Sequence, residues 1–546
     1  MKKCDLVMKG GITSGIVYPG AVLELSRDYE FANIGGTSAG AIAAALTAAA
    51  ELRRQRGGGS AGFDTLAKMP AWLAENVDGR SRLLRFFQPD GETARLFDLV
   101  LAYIETKRWT AVVRALLRGF PAFGSMAAAI GVLLMVVAVL AADHVAIVIV
   151  IAAIAILTAG AVVIASAVEA LVFANRTLPR NGFGISEGNA LTAWLADEID
   201  LVAGVTGKPL TFGDLQGAGL NLEMMTTNLT HGRPYRLPLE GKRFFFVEDE
   251  MRGLFPTRIV DWMIAHAGAP KRERFYSLPS DELPVVVATR MSLSFPLLLS
   301  AVPLWAVDFG TRDEEKPYER CWFSDGGITS NFPVHFFDAP IPSRPTFAIN
   351  LAPRTPRYHD PAQLTYMPRT NKGGLLEWWT PFADLAGFVS AIVSTMQNWR
   401  DNMLLRLPGQ RDRIAHVLLD EQEGGLNLSM DEATIADVAG RGAEAGRKLR
   451  DDFDWRNHKW VRYLSFMSAL EEALERWEGA FDESRELVEG TEPLPSYRVS
   501  ATEHAAMCDA SLAFLAHVRR NFGSRPFRRV KKRPRPEPVL RAVPKT

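Results

Sequence analysis

The chain has 546 residues with 62 basic and 62 acidic side chains and a pI near 7.1, so no net charge favours binding to nucleic acid. This length predicts more than one domain and a large buried core. The three cysteines, Cys4, Cys321 and Cys508, have neither metal-site nor disulfide spacing, which is consistent with a reducing compartment.

The first predicted strand, residues 6–8, runs into a glycine-rich turn. This turn contains Gly10, Gly11 and Ile12, and its glycines allow backbone N–H groups to approach a ligand closely. Lys9 comes before the glycines, which is the wrong order for a phosphate-binding loop. The turn is therefore a candidate for binding a ligand through backbone amides.

A second turn lies between the next predicted strand, residues 31–34, and an alanine-rich predicted helix, residues 39–50. It has the G-x-S-x-G pattern, in which a serine occupies a tight strand-to-helix turn with its hydroxyl exposed. Gly36 and Gly40 would supply the room, and Ser38 the hydroxyl. An ordinary turn is the alternative, because 44 glycines make a chance match unsurprising.

Two long apolar runs, residues 121–142 and 145–168, are separated only by Asp143 and His144. Each run is long enough to cross a hydrocarbon core of about 30 Å, so we predict a transmembrane helical hairpin. The polar pair would be costly at the middle of a bilayer, which assigns it to the turn at the far interface. The alternatives are two buried helices in a soluble core and one long interfacial helix.

Basic residues on both sides of the hairpin predict its orientation. These residues are Lys107, Arg108, Arg114 and Arg118 before it, and Arg176 and Arg180 after it. By the positive-inside rule, both ends of the hairpin and the rest of the protein face the cytoplasm. Residues 107–120 also have apolar side chains at helical spacing, which predicts either an amphipathic helix on the membrane or a helix packed on the core.

Strand-like segments continue after the hairpin. We predict strands at residues 222–227, 244–247, 284–288, 321–324 and 347–351. Asp325 directly follows one of them and precedes Gly326 and Gly327. A carboxylate at one strand end can face a serine at another, so Asp325 is a candidate base for Ser38. Asp-Gly-Gly is also a common turn sequence, which is the alternative.

The rest of the sequence is mainly helical in pattern. Proline and charge mark a boundary at residues 353–368, and the segments with helical periodicity beyond it are residues 384–407, 430–453, 460–474 and 502–520. Residues 521–546 combine basic side chains with prolines and are predicted to be a disordered tail. This tail is a candidate for attraction to anionic lipid, with a solvated tail and a nucleic-acid arm as alternatives.

In this order, the first glycine-rich turn, the G-x-S-x-G turn and the Asp-Gly-Gly turn resemble those of the patatin-like phospholipases, which are lipid acyl hydrolases with a Ser-Asp dyad. Residues 283–296 are also similar to the segment upstream of the Asp-Gly-Gly motif in that family. The likeness covers roughly residues 1–91 and 181–350. It implies an α/β fold, a three-layer α/β/α sandwich around a mainly parallel sheet.

The resemblance and the apolar runs together predict five regions. They are a catalytic domain in two parts (1–106 and 177–352), an inserted amphipathic helix and transmembrane hairpin (107–176), a helical C-terminal region (353–520) and the tail (521–546).

The resemblance also implies roles for individual residues. Ser38 is the nucleophile and Asp325 is its general base. The oxyanion-hole amides are assigned to Gly10, Gly11, Ile12 and Ala39, and the supporting glycines are Gly36, Gly40, Gly326 and Gly327. The chain departs from the family pattern where Ile12 stands for the third glycine and Ser14 for a basic residue. A backbone amide survives this change, whereas a side-chain cation is lost.

These groups predict hydrolysis of carboxylic esters through an acyl-enzyme, because a serine hydroxyl becomes a nucleophile when an adjacent base takes its proton. The predicted hairpin makes a membrane phospholipid or lysophospholipid the expected substrate. Hydrolysis of neutral acylglycerols or thioesters and a catalytically weak scaffold are the alternatives. No cofactor or metal is expected, since neither a calcium loop nor a dinucleotide pattern is present. The sequence leaves the oligomeric state open.

Two further assignments have alternatives of their own. His335 and His359 follow Asp325 in the sequence and would complete a Ser-Asp-His triad, or they are ordinary histidines. Large apolar residues after the hairpin would line an acyl pocket or pack in the core. They are Met224, Met225, Met251, Phe255 and Trp262.

Overall fold

The structure, a computed structural model, describes residues 1–11, 13–77, 80–87, 89, 91–106, 108–141, 147–239, 241, 243–312, 314–355, 360, 363–368, 379, 381–420, 422–425, 427–428, 430–489, 499–529, 534–535 and 538–540. Its strands are β1 (Lys2–Met8), β2 (Tyr29–Gly36), β3 (Asn76–Val77), β4 (Arg80–Ser81), β5 (Gly184–Ser186), β6 (Asn221–Asn228), β7 (Arg233–Leu237), β8 (Phe244–Phe246), β9 (Tyr276–Ser277), β10 (Leu297–Leu299), β11 (Val302–Val307), β12 (Tyr318–Asp325), β13 (Thr346–Pro353), β14 (Thr365–Tyr366) and β15 (Ile414–Leu419).

Helices pack around these strands, and they form most of the C-terminal region. They are α1 (Tyr18–Ser26), α2 (Ala39–Arg53), α3 (Ala61–Ala74), α4 (Arg82–Arg85), α5 (Ala94–Thr106), α6 (Trp109–Gly119), α7 (Ala122–Ala141), α8 (Ile147–Thr177), α9 (Asn189–Ala203), α10 (Phe212–Gly217), α11 (Glu248–Arg252), α12 (Thr257–Ala267), α13 (Val285–Ser292), α14 (Leu385–Leu405), α15 (Glu432–Asp451), α16 (Trp455–Glu489) and α17 (Ala501–Phe522).

The central layer is one mixed sheet, which has eleven strands in the described part of the chain. Its order is β14-β15-β13-β1-β2-β6-β12-β11-β8-β9, and β7 pairs with β6. The strands from β15 to β6 are parallel, whereas those from β12 to β9 join in antiparallel pairs. The predicted α/β class with a largely parallel central sheet is therefore confirmed.

Alternate residues of β1 point to two different cores, as expected for a strand between two layers. Leu6 and Met8 belong to the large core that includes α1 and α2. Val7 lies in a smaller cluster with Phe332 and is packed against Leu404 of α14. Apolar side chains thus cover both faces of the sheet.

The two apolar runs form α7 and α8, which pack against each other. Small residues allow close approach, because a side chain at Gly131 would collide with Thr158, and one at Gly124 with the hydroxyl of Ser166. Residues Ala122–Leu140 and Val148–Thr177 are long and apolar enough to cross a membrane. Residues 142–146, which include the predicted turn at Asp143 and His144, lie outside the described residues.

The helix that approaches the hairpin, α6, is exposed at its start and packs on the core at its end. Trp109 at its start is exposed, whereas Leu116 and Phe120 are buried. Phe120 meets Phe173 of α8 edge to face with ring centroids 5.5 Å apart. The end of α6 therefore joins the hairpin to the core.

The C-terminal region is largely helical, but it also completes the sheet, which the sequence did not predict. β15 pairs in parallel with β13, and β14 pairs with β15. The first part of the predicted tail packs on α16: Arg525 and Arg528 are ion-paired with Glu475, and the backbone of Phe527 donates to Glu471. Residues 530–533, 536–537 and 541–546 of that tail lie outside the described residues.

One predicted strand is wrong. Residues 284–288 were expected to be extended because of their consecutive valines, but Val285–Ser292 is the helix α13. All eight of its residues are buried. A helix that is surrounded by the core can be apolar on every face, so tertiary burial overrides the β-propensity of valine here. The other predicted strands correspond to β1, β2, β6, β8, β12 and β13.

Glycines allow α15 to pack closely on α1. A Cβ atom at Gly442 would collide with the backbone oxygen of Val17, whereas one at Gly440 of the same helix would meet nothing within 4 Å. We expect Gly442→Ala to lower the free energy of unfolding by about 1 to 3 kcal/mol, because overpacking forces backbone shifts. Thermal unfolding in detergent, followed by tryptophan fluorescence, measures the change.

Gly440→Ala is the matched control. It replaces glycine inside the same helix without a collision, so we expect it to be neutral or stabilising by up to about 1 kcal/mol. Equal melting temperatures for the two variants would contradict the close packing of α15 on α1.

Candidate active site

Ser38 lies at the junction between β2 and α2. Its backbone has φ 56° and ψ −127°, a conformation that is rare for a residue other than glycine. A Cβ atom at Gly36 would collide with the backbone of Gly40, and one at Gly40 with the carbonyl oxygen of Met8. Both glycines of the G-x-S-x-G pattern are therefore required by close backbone contacts around this turn.

Asp325 is the last residue of β12 and is only 2% exposed. Its Oδ1 accepts a hydrogen bond of 2.6 Å from the backbone N–H of Gly327. The Ser38 hydroxyl approaches the carboxyl group as a donor, but outside standard hydrogen-bond geometry. Oδ2 is buried and, among the described residues, has no partner at standard hydrogen-bond geometry. The contact with Ser38 is therefore not ideally aligned.

The sheet explains why these two residues meet. β6 lies between β2 and β12, parallel to the first and antiparallel to the second. Gly36 pairs with Met224 and Asp325 pairs with Thr226, two residues further along β6. The ends of β2 and β12 therefore approach the same place from opposite directions.

Burial raises the pKa of Asp325 from 3.8 to about 6. The contacts from Ser38 and Gly327 favour the carboxylate and partly oppose this rise. A carboxyl group with this pKa is ionised at neutral pH but remains a better proton acceptor than an exposed aspartate. The site thus pairs a serine hydroxyl with a base of suitable strength.

The last turn of α13 and the residues after it hold both sides of the pair. The hydroxyl oxygen of Ser292 accepts a 3.1 Å hydrogen bond from the backbone N–H of Ser38, and the carbonyl of Ser294 accepts one of 2.9 Å from Asp325. The buried Arg290 donates to the Ser294 hydroxyl. We did not assign these three residues to the site from sequence. The only signal was the similarity of residues 283–296 to the family segment.

The four predicted oxyanion-hole residues differ in whether their backbone N–H groups already donate hydrogen bonds within the protein. The N–H of Gly10 donates to the carbonyl of Asn331 at 2.7 Å, and that of Ala39 to the carbonyl of Gly11 at 3.2 Å. Gly11 lies in the same turn, and its N–H makes no backbone hydrogen bond within the described residues. Ile12 lies outside them. Two of the expected donors are therefore engaged within the protein.

The rival base His335 is partly buried, and its pKa is lowered to about 4 by desolvation and by Arg400 and Arg236. In the described part of the chain, no hydrogen bond connects its ring to Ser38 or Asp325. His359 lies outside the described residues. The geometry thus brings Ser38 together with Asp325 and not with His335.

An apolar cavity adjoins the serine turn. It is narrow, with a cavity volume of about 70 Å³, and is bordered by Ala39, which follows Ser38, and by Leu293. Further lining residues come from α2, α3, α4 and α9, and they include Leu46, Leu66, Met69, Leu73, Phe86 and Trp194. The apolar lining of this cavity suits part of a hydrocarbon chain.

The acyl pocket expected from the scattered methionines is not at those residues. Met224, Met225, Met251 and Phe255 are buried core residues. Trp262 borders a different, polar hollow with Arg258. Core packing, the alternative interpretation, is correct for these four residues: Met224, Met251 and Phe255 belong to the large core, and Met225 is buried on β6.

Comparisons with known proteins agree with this geometry. Residues 6–119 match the family model described as patatin-like phospholipase. The protein called RpoH suppressor from Rhizobium meliloti is 37% identical over 86% of this chain and 86% of its own. The chain belongs to the patatin-like phospholipase family. This membership supports lipid acyl hydrolysis as the class of activity and a lipid as the class of substrate.

Two weaker similarities cover other extents of the chain. The uncharacterized protein YqhO of Bacillus subtilis is 29% identical over 31% of this chain and 42% of its own. The crystal structure of VipD from Legionella pneumophila aligns with 95% of this chain and 85% of that one at 12% identity, with a TM-score of 0.29. That score is too low to support an argument about fold or function.

The raised pKa of Asp325 predicts a pH-dependent cost in stability. Because folding raises this pKa, the folded state favours the neutral form, and stability is lost as the pH rises from about 4 to 6. A shift of about two pH units corresponds to about 3 kcal/mol. We therefore expect Asp325→Asn to be more stable than the wild type above pH 6, by up to this amount, and equally stable below pH 4.

Chemical unfolding at several pH values in detergent measures this difference. Asp98→Asn, at an exposed position in α5, is the control and should show no gain that depends on pH in this range. A constant difference between Asp325→Asn and wild type from pH 4 to pH 8 would contradict the burial of an ionised Asp325.

Proposed function

We propose that the protein is a serine acyl hydrolase that cleaves carboxylic esters of membrane lipids, of the phospholipase A or lysophospholipase type. Asp325 takes the proton of Ser38, whose oxygen attacks the ester carbonyl. Asp325 then gives this proton to the alcohol as the ester C–O bond breaks, which leaves an acyl-enzyme and a free carboxylate. Asp325 then activates a water molecule that releases the fatty acid. The observation that carries this proposal is the buried contact between Ser38 and Asp325 beside an apolar cavity.

The developing negative charge on the carbonyl oxygen requires preorganised donors. The Gly11 and Ile12 amides are assigned to this role. Gly10 and Ala39 would contribute only after their present hydrogen bonds to Asn331 and Gly11 are broken. Loss of one such donor typically costs about 3 to 4 kcal/mol of transition-state stabilisation. Hydrolysis would therefore be slow unless substrate binding breaks these two hydrogen bonds.

The apolar cavity is the proposed site for the acyl chain. Its border at Ala39 places it next to the nucleophile, and its lining is almost entirely apolar. Neutral acylglycerols and acyl thioesters share the same acyl group and are the alternative substrates. No cofactor is required for this chemistry, because the two side chains and backbone amides supply every step.

The hairpin is proposed to anchor the enzyme in a bilayer. Leu140 of α7 is 82% exposed and Ile149 of α8 is 75% exposed, which would be unfavourable in water. Buried core helices would not leave these side chains exposed, and a signal sequence would not lie between α6 and β5. Both ends of the hairpin lead into the catalytic body, so residues 107–176 hold residues 1–106 and 177–352 at the membrane surface on its cytoplasmic side.

Covalent labelling tests the catalytic assignment. We expect a fluorophosphonate probe to label the wild type and to spare Ser38→Ala, because only an activated serine reacts. Asp325→Asn should lower hydrolysis of a phospholipid by at least about 10³-fold, since the base is lost. Labelling is read by fluorescence in a gel, and hydrolysis by release of fatty acid from vesicles.

His335→Ala is the control, and it should keep most of the turnover. The pH profile separates the two bases. Activity should rise with pH and be half-maximal near pH 6 if Asp325 is the base, but near pH 4 if His335 is. Absence of both labelling and hydrolysis in the wild type would favour the non-catalytic scaffold.

Removal of the hairpin tests the membrane anchor. We expect deletion of residues 123–170 to release the protein from membranes without detergent and to reduce hydrolysis of vesicle lipid, while hydrolysis of a soluble short-chain ester remains. Phe120 and Phe173 are kept in this variant because their rings pack together. Continued sedimentation of the deletion variant with membranes would show that the anchor lies elsewhere.

A further inference from the structure

The helix α14 presents an apolar stripe to the outside. From residue 385 to residue 399 it contains no charged side chain. Its exposed apolar residues are spaced three or four apart, so they lie on one side of the helix. They are Leu385, Phe388, Val389, Ile392, Val393, Met396, Trp399 and Met403.

The other sides of α14 contain polar residues, and near the C-terminal end of the helix Asp401 faces the protein. Asp401 is buried, whereas Met396 and Leu385 are 71% and 77% exposed. Soluble proteins normally place the apolar side of a surface helix against the core. The apolar side of α14 instead faces outward, which favours an apolar environment outside the protein.

Asp401 also connects α14 to the candidate active site. Its carboxylate accepts hydrogen bonds of 3.0 Å from the Ser330 hydroxyl and 2.8 Å from the Phe332 backbone. These residues directly follow the turn that contains Asp325. Between them, Asn331 accepts the hydrogen bond from Gly10. The exposed stripe therefore belongs to a helix that contacts the catalytic loop.

The composition around the stripe favours a lipid surface over a protein partner. Trp379, Phe382 and Trp399 are exposed near its ends, and aromatic side chains concentrate at membrane interfaces. Arg400 and Arg406 follow it and are exposed, which suits anionic headgroups. No carboxylate interrupts the stripe itself. A helix with these features lies in the plane of an interface.

We propose that the outer face of α14 is a lipid-binding surface that lies on the bilayer beside the active site. It is separate from the hairpin and acts as a second membrane contact, which positions the catalytic loop near the lipid from which substrate is drawn. This proposal rests on the proposed membrane-lipid substrate, but the lipid contact itself is measurable without turnover.

Spin labelling measures this contact directly. The label is placed at Met396→Cys and, as a matched control, at Leu201→Cys on α9, where the native side chain is 57% exposed. Both variants also contain Cys508→Ser, because Cys508 is only partly buried and would react with the label. Cys4 and Cys321 are buried and can stay. The protein is reconstituted in vesicles of phosphatidylcholine and phosphatidylglycerol. We expect the label at 396, but not at 201, to be accessible to oxygen and shielded from a water-soluble nickel chelate.

Equal access of the nickel chelate to both labels would overturn the proposal. Strong dipolar coupling between labels at 396, without access to oxygen, would also overturn it, because a second copy of the chain would then cover the stripe. Neither readout depends on catalysis, so a failure of the proposed ester hydrolysis leaves this test decisive.

Activity provides the second arm. We expect Met396→Asp to lower hydrolysis of vesicle lipid roughly tenfold relative to Leu201→Asp, since a charge at an interface weakens membrane binding. Hydrolysis of a soluble short-chain ester should change less than about twofold in both variants. Equal vesicle activity would contradict the proposal, as would an equal loss on both substrates in Met396→Asp, which would indicate packing against protein.

Discussion

The candidate site depends on one arrangement, a carboxylate held out of water against a serine hydroxyl. Burial raises the pKa of Asp325 and therefore costs stability, but the same burial makes the carboxylate a stronger base. The surrounding backbone keeps this group in place through the N–H of Gly327 and the carbonyl of Ser294. Burial of the Asp325 carboxylate thus lowers the stability of the folded protein and raises the basicity of the same group, a combination typical of functional sites.

Position within the sheet makes this arrangement possible without long connecting loops. β6 is the last parallel strand and β12 the first antiparallel one, so β2 and β12 end near the same part of β6. Ser38, whose backbone has positive φ, lies at this place. Gly36 and Gly40 lie beside it and allow close backbone contacts that a larger residue would prevent. The change in strand direction and the candidate chemistry coincide.

The sequence predicts the parts of the structure that depend on local rules. Glycines at tight turns, an alanine-rich helix and long apolar runs have direct physical causes, and the corresponding elements are present. The prediction was wrong at residues 284–288, because the β-propensity of three valines is weak and the packing around the fully buried α13 overrides it. Ser292 and Ser294 were missed as site residues because their contacts join segments more than 250 and 30 positions apart.

Apolar side chains are distributed unevenly between the core and the surface of the protein. Soluble folds bury such side chains, and this one does so thoroughly around β1 and β2. It leaves them exposed on α7 and α8 and again on the outer stripe of α14, although Asp401 of α14 is buried against the catalytic loop. One of these exposed apolar helices touches the catalytic loop. Under the proposed function, the apolar environment that covers them would therefore also determine where the Ser38–Asp325 pair meets its substrate.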